Sequence, residues 1–273
     1  MNKYHNWNPI GVFTNLWVYH DLIKQFTKRD VLARYKGSYL GILWSFLTPL
    51  LMLTVYTFVF SEVFKFKWGV SSSNKVEFAM VLFCGLTAFN LFAECINRAP
   101  GLVLSNANYV KKVVFPLEIL PVAALGSALV QAAISLIILL VGLVVFMGVF
   151  NWTLVFLPLV LIPLLLFTLG LSWFLASLGV YLRDIGQIVS VFTQALMFMS
   201  PIFYPASAIP EKYKLILYLN PLNYVVEDMR RIIIWGQMPE WNWLYIGTLS
   251  GLLVSVLGYV WFQRTRKGFA DVI

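Results

Sequence analysis

Six stretches of this chain, roughly 40–64, 78–98, 119–150, 154–181, 187–204 and 243–263, have the length and apolar character of membrane spans. A crossing helix needs about 20 mostly apolar residues. In hydrocarbon every backbone polar group must be satisfied within the segment, so a run of this kind is read as a helix. With 60% of residues hydrophobic and only 12% charged, the apolar surface exceeds what one water-soluble core hides. The expected fold is therefore an all-α polytopic membrane protein with six transmembrane helices, forming a single transmembrane domain over residues 1–273.

The third and fourth stretches are separated by Asn151–Trp152–Thr153 and read as a helical hairpin. The fifth is broken at its end by Pro201, Pro205 and Pro210. Leu222 to Trp235 is too short to cross and carries Glu227, Asp228, Arg230 and Arg231 in its middle. Charges at the centre of a lipid-facing helix cost about 2.5–3.5 kcal/mol each on the insertion scale. The segment 205–235 is therefore expected to be re-entrant or interfacial, with its four charges forming a salt-bridged surface.

The formal charge of +8 reflects loop cations rather than a nucleic-acid face. Six spans put both termini on one side, and 13 of the 20 Lys and Arg residues fall there against 7 opposite. That excess is expected to place both termini in the cytoplasm. Trp44, Trp68, Trp152, Trp243 and Trp261 sit at expected span edges, as interfacial anchors do. The first 39 residues lack the apolar run and cleavage site of a signal peptide.

Ahead of the first span, Val12, Leu16, Tyr19, Ile23 and Phe26 recur at spacings of three and four, striping one face of a helix. This amphipathic helix, over roughly 10–36, is expected in the membrane interface. Gly37 ends it, and Pro49 is expected to kink the following span. Arg29, Arg34 and Lys36 stand just before the apolar wall, where two roles remain open: orientation by the positive-inside rule, or contacts to a phosphate group.

No phosphate-binding loop, nucleophile elbow or paired-histidine metal motif is present. His5 and His20 lack metal-like spacing, and no metal site is expected. Cys84 and Cys95, eleven positions apart on one helix and so about 16 Å along its axis, read as packing residues. Glu94 is an ionisable residue deep in the second span. It is either functional in its own right or the partner of Arg98, one turn along.

Five segments in register carry a resemblance. They are RYKGSYLGILWSFLTPLLMLTVYTFVF, NANYVKKVVFPLEILPV, YLRDIGQIV, SPIFYPASAIPEKY and LNPLNYVVEDMRRII. Together they resemble the permease subunit of ABC-2 type polysaccharide exporters, most nearly the O-antigen exporters, with capsule and teichoic-acid exporters as near relatives. The resemblance runs from about Phe13 to the C-terminus.

It implies a homodimer docked on a separate ATPase subunit that holds ATP and Mg, with no cofactor on this chain. It also implies export of a glycan carried on undecaprenyl diphosphate across the bacterial inner membrane. ATPase coupling would fall to Lys28, Arg29, Asp30, Asn106, Asn108, Lys111, Lys112, Arg183 and Asp184. Arg29, Arg34 and Lys36 would lie where the lipid diphosphate enters. Trp44, Phe46, Tyr56, Phe89 and Phe92 are the pore aromatics it implies, and Pro201, Tyr204, Pro205, Pro221, Glu227 and Arg230 an outer gate. Rival expectations are an ABC-2 exporter of drugs or smaller lipids and a membrane-embedded glycan transferase. The first is expected to lack the proline-rich re-entrant segment. The second needs acidic residues facing a large extramembrane pocket.

Overall fold

A computed structural model describes residues 16–63, 75–110, 115–213, 217 and 220–273. Val12, Trp68, Lys111, Lys112 and the side chain of Glu62 lie outside the described residues. Helices account for the regular structure among those described. The longer ones are α1 (His20–Tyr35), α2 (Trp44–Thr57), α3 (Lys75–Arg98) and α4 (Ile119–Met147), followed by α5 (Leu157–Tyr181), α6 (Ile185–Met199), α7 (Pro221–Ile233) and α8 (Trp241–Thr265).

Among the described residues, five helical stretches are long and apolar enough to cross a membrane: Gly41–Phe60, Lys75–Gly101, Ile119–Met147, Trp152–Tyr181 and Trp241–Val272. The fifth expected span, 187–204, is occupied by α6, which has only 15 residues. At 1.5 Å per residue that is about 22 Å, against a hydrocarbon core of about 30 Å. The reason is local. Pro201 disfavours a helical conformation at the residue before it, and Ser200 is extended at φ −92, ψ 147.

α3 is the centre of the bundle. It packs against α2, α4, α5, α6 and α7, and 78% of its most apolar stretch is buried, against 6% for the first span. Among the described residues α5 and α8 make the most extensive helix–helix contact, because small residues let the backbones approach. A Cβ on Gly258 would stand 2.0 Å from the Gly170 carbonyl oxygen.

The turns define two ends. α1, the loop between α3 and α4, the turn after α5 and the C-terminal segment share the near end. The α4–α5 turn, residues 200–213 and the α7–α8 connection share the far end. α4 stops at Gly148, whose φ of +63 is left-handed, and α1 hands over to α2 through Gly37 at φ +85. Glycine suits both positions because other side chains clash there.

α7 is fixed at both of its ends. Asn220 caps its start by accepting from the Leu222 backbone N–H at 3.1 Å and donates to Ser200 Oγ at 2.8 Å. Its last carbonyls would be orphans, but Asn151 Nδ2 donates to those of Ile233 and Ile234 at 3.0 and 3.1 Å, and Thr153 Oγ1 to that of Ile232 at 2.6 Å. The hairpin turn at Asn151–Thr153 is thus also a socket for α7.

Candidate functional site

At the near end, α1 is bonded to the bundle by charge. Its apolar stripe meets the other helices as the spacing predicts: Phe26 is buried, and Leu16, Tyr19 and Ile23 pack against the core. One turn further on, Arg98 at the end of α3 donates through one nitrogen to both oxygens of Asp30, at 2.6 and 2.7 Å. Arg34 contacts Glu94 and Ser127 Oγ. Arg98 also lies 3.6 Å from Glu94, the pairing the four-residue spacing indicates. Tyr35 donates to Gln131, which donates to the Ser45 carbonyl at 2.9 Å. One layer of polar side chains therefore ties α1 to α3, α4 and the start of α2.

The four charged side chains are 22–33% exposed. They sit between water and the bundle interior, where an ion pair keeps part of its strength without the full desolvation cost of burial. Glu94 thus serves two arginines, and Arg34, one of the residues tied to a lipid diphosphate by resemblance, already has a carboxylate partner. Lys36 is exposed.

Arg29 faces the loop between α3 and α4. Its guanidinium carbon lies 4.2 Å from the centre of the Phe26 ring, and it donates to Tyr109 at 3.1 Å and Asn106 at 3.4 Å. Tyr109 stacks on Phe115 at 4.5 Å, and both rings contact Phe26. Among the described residues of this loop, Ala99–Gly101 and Leu104–Asn106 form short turns and Ala107–Val110 a four-residue helix. Lys28 and Asn108 are exposed beside this cluster, as are Arg183 and Asp184 after α5.

Sequence reasoning missed Glu118 and Arg266. Arg266 donates to Glu118 at 2.7 Å and to the Phe115 carbonyl at 2.7 Å, so the C-terminal segment grips the same loop. Phe269, fully buried, anchors that segment. A signal was present: a basic cluster directly after the last span, followed by an apolar Phe.

At the far end the charges of α7 do not form the surface expected of them. Arg230 is 0% exposed and Asp228 only 4%. Arg230 Nε donates to the Val81 carbonyl at 3.2 Å, and its terminal nitrogens donate to those of Pro201 at 2.7 Å and Ile202 at 3.0 Å. Glu227 lies 3.7 Å away. The surface reading fails because α7 turns Asp228 and Arg230 inward, while Arg231 reaches Glu240 at 2.8 Å. The break at Pro201 supplies the free carbonyls that a buried guanidinium needs.

Of the aromatics assigned by resemblance, Trp44 and Phe46 are exposed at 39% each. Tyr56 is partly buried with its ring 5.5 Å from that of Phe203. Phe89 and Phe92 are buried inside the helix bundle, Phe92 stacked towards Phe167 at 6.4 Å. Pro201 is buried, while Tyr204, Pro205 and Pro221 are partly so. Tyr204 donates to the Phe198 carbonyl at 2.6 Å. No cluster of metal-ligating side chains occurs among the described residues.

These features define a helical membrane protein whose surface helix is keyed by ion pairs into its most buried span. More narrowly, the chain belongs to the ABC-2 type transporter family, whose model matches residues 21–234. It is 30% identical over 266 residues to the O-antigen export system permease protein RfbA of Klebsiella pneumoniae, covering 95% of this chain and 97% of that one. An RfbA of Myxococcus xanthus is 29% identical, covering 97% and 100%. The polysialic acid transport protein KpsM of Escherichia coli is 28% identical over 247 residues, covering 88% and 91%.

Proposed function

We propose that this chain is the membrane subunit of an exporter that moves an undecaprenyl-diphosphate-linked polysaccharide of O-antigen type across the inner membrane. A separate ATPase subunit, carrying ATP and Mg, drives it, and the chain itself is not an enzyme. Both termini lie in the cytoplasm, and α6 with the 205–235 segment completes a sixth, re-entrant crossing. The observation that carries this reading is the layer of Asp30, Arg34, Glu94 and Arg98 that joins α1 to α3. A surface helix keyed at this layer into the central span passes a push from a cytoplasmic partner into the bundle.

The exposed side of the layer is where the partner docks, through Lys28, Arg29, Asn108, Arg183 and Asp184, together with Lys111 and Lys112. Near-complete coverage of polysaccharide-export relatives supports the substrate class. Two copies form the working unit. The first span, almost uncovered within one protomer, supplies the surface on which they meet, and its exposed Trp44 and Phe46 face the glycan there. Lys36 remains available for the lipid diphosphate, whereas Arg34 would have to leave Glu94 to reach it.

Copurification of the chain with its ATPase, followed by ATP turnover with and without lipid-linked glycan, tests the reading. Stimulation by the glycan, and cytoplasmic glycan accumulating on deletion, are expected. A chain that binds no ATPase and whose deletion leaves glycan export unchanged sinks it. Reversing the charge of Lys28 and Arg29 is expected to weaken docking while insertion stays intact. A flipped topology with docking retained would reduce these residues to orientation signals.

A further inference from the structure

At the far end a pocket of about 150 Å³ opens between α5, α7 and α8. Pro163 and Phe167 form one wall, and Tyr224 and Trp243, stacked at 4.2 Å, form another. Asp228 is the acidic group in this lining. Its carboxylate accepts the Glu240 backbone N–H at 2.8 Å. Arg231, the nearest cation on its helix face, is held by Glu240 and the Met238 carbonyl. No ion pair to Asp228 occurs among the described residues.

Asp228, only 4% exposed, stands in a largely apolar wall with one backbone donor, a setting in which a cation gains most. Aromatic faces beside it attract the same charge. Ile246 of α8, among the lining residues, is 52% exposed. Exposed Trp152, Trp241 and Trp243 ring this end of the bundle, and such residues gather at headgroup level.

We infer that the pocket binds a phospholipid bearing a primary ammonium head, with the ammonium at Asp228 beside Tyr224 and Trp243 and the chain leaving past Ile246. The pocket of about 150 Å³ takes the ammonium with its two methylenes, while the phosphate and acyl chains stay outside it. A choline head carries the same charge but no N–H donor, so the carboxylate selects the primary amine.

The test uses the full chain in nanodiscs of phosphatidylcholine with or without phosphatidylethanolamine, exchanged into mild detergent and read by native mass spectrometry. Retention of one phosphatidylethanolamine per protomer, not displaced by phosphatidylcholine, is expected. Asp228→Asn should lower retention about tenfold, the scale of one charge-assisted contact. Ile246→Trp, which enlarges a lining side chain without touching Asp228, should lower it as well, with the melting temperature of each variant confirming that it folds. Equal retention of both lipids, or folded Asp228→Asn retaining phosphatidylethanolamine like the parent, would overturn the inference. Neither the ATPase nor glycan enters the measurement, so its failure is distinct from failure of the export reading.

Discussion

α3 ends in two arginine-centred joints that differ in every physical respect. At the near end Arg34 and Arg98 meet Glu94 and Asp30 in a layer that water reaches. At the far end Arg230 is sealed from water and held chiefly by backbone carbonyls from α3 and the Ser200 break. Partly solvated ion pairs are cheap to part and remake, because water takes over each charge as the partner withdraws. A buried guanidinium has no such substitute, and moving it away from its carbonyls strands both cation and acceptors. The near joint suits a place where movement enters, and the far joint suits a place that must hold still.

The largest effect expected of any single change is at the far joint. Arg230→Met keeps much of the volume but leaves the carbonyls of Val81, Pro201 and Ile202 without their donor and Glu227 without its partner. It should cost about 3–5 kcal/mol, the scale for breaking a buried charged contact, read as a lower unfolding midpoint of the purified protein. Arg230→Lys should recover only part of this loss, since one ammonium cannot match a planar fork aimed at separated carbonyls. An unfolding midpoint for Arg230→Met equal to that of the parent would remove the contrast between the joints.

Next in size is Gly85→Ala. The new methyl would stand 2.8 Å from an Arg230 terminal nitrogen and 3.3 Å from Val226 Cγ1, so the guanidinium must shift from its carbonyls. About 1–3 kcal/mol is expected, as for other overpacked cores. This sharpens the comparison, because the change leaves every charge in place and alters only the fit.

How much of this contrast was legible in the sequence depends on how far apart the partners lie along the chain. The surface helix followed from a stripe at spacings of three and four, and Glu94–Arg98 from one helical turn. Asp30–Arg98 and Arg34–Glu94 join residues more than fifty positions apart, for which local periodicity carries no signal. Arg230 was hidden more thoroughly. In a short helix, Glu-Asp-Met-Arg-Arg has the composition of a solvated face, and only the fold shows that the Pro201 break points its free carbonyls at this position. Asn151 and Thr153 were legible as a turn but not as the cap of a helix about eighty residues away. The stretch 187–204 was expected as a span with Pro201, Pro205 and Pro210 interrupting its end; what the sequence did not show is that the helix stops at Met199 and leaves α6 only 15 residues.

A smaller effect is expected at the near joint. Arg98→Gln removes the charge that Asp30 and Glu94 share, but both carboxylates retain access to water, so about 1 kcal/mol is the expected loss. Added salt should shrink the difference between parent and variant here and leave that of Arg230→Met nearly unchanged, because screening acts on charges that solvent reaches. Equal salt sensitivity at both ends would break the comparison.

The smallest stability change should come from Arg29→Ala, the position where the export reading expects one of the largest functional changes. Its contacts are a ring face and two neutral acceptors on an exposed surface, and a cation–π pair in water contributes about 0.5–1 kcal/mol. The unfolding midpoint should barely move. Yet Arg29 is the charged bridge from α1 to Asn106 and Tyr109 in the loop between α3 and α4. Without it, the two parts of the docking face are joined by the Phe26, Tyr109 and Phe115 rings, which hold position less directionally than hydrogen bonds do. ATP turnover by the assembled complex should then persist while its response to lipid-linked glycan falls. Arg29→Lys should restore the charge without the two-point contact and recover only part of the response. Full coupling in Arg29→Ala would mean that the push enters through the Asp30–Arg98 layer alone, leaving the loop as a passive wall of the docking face.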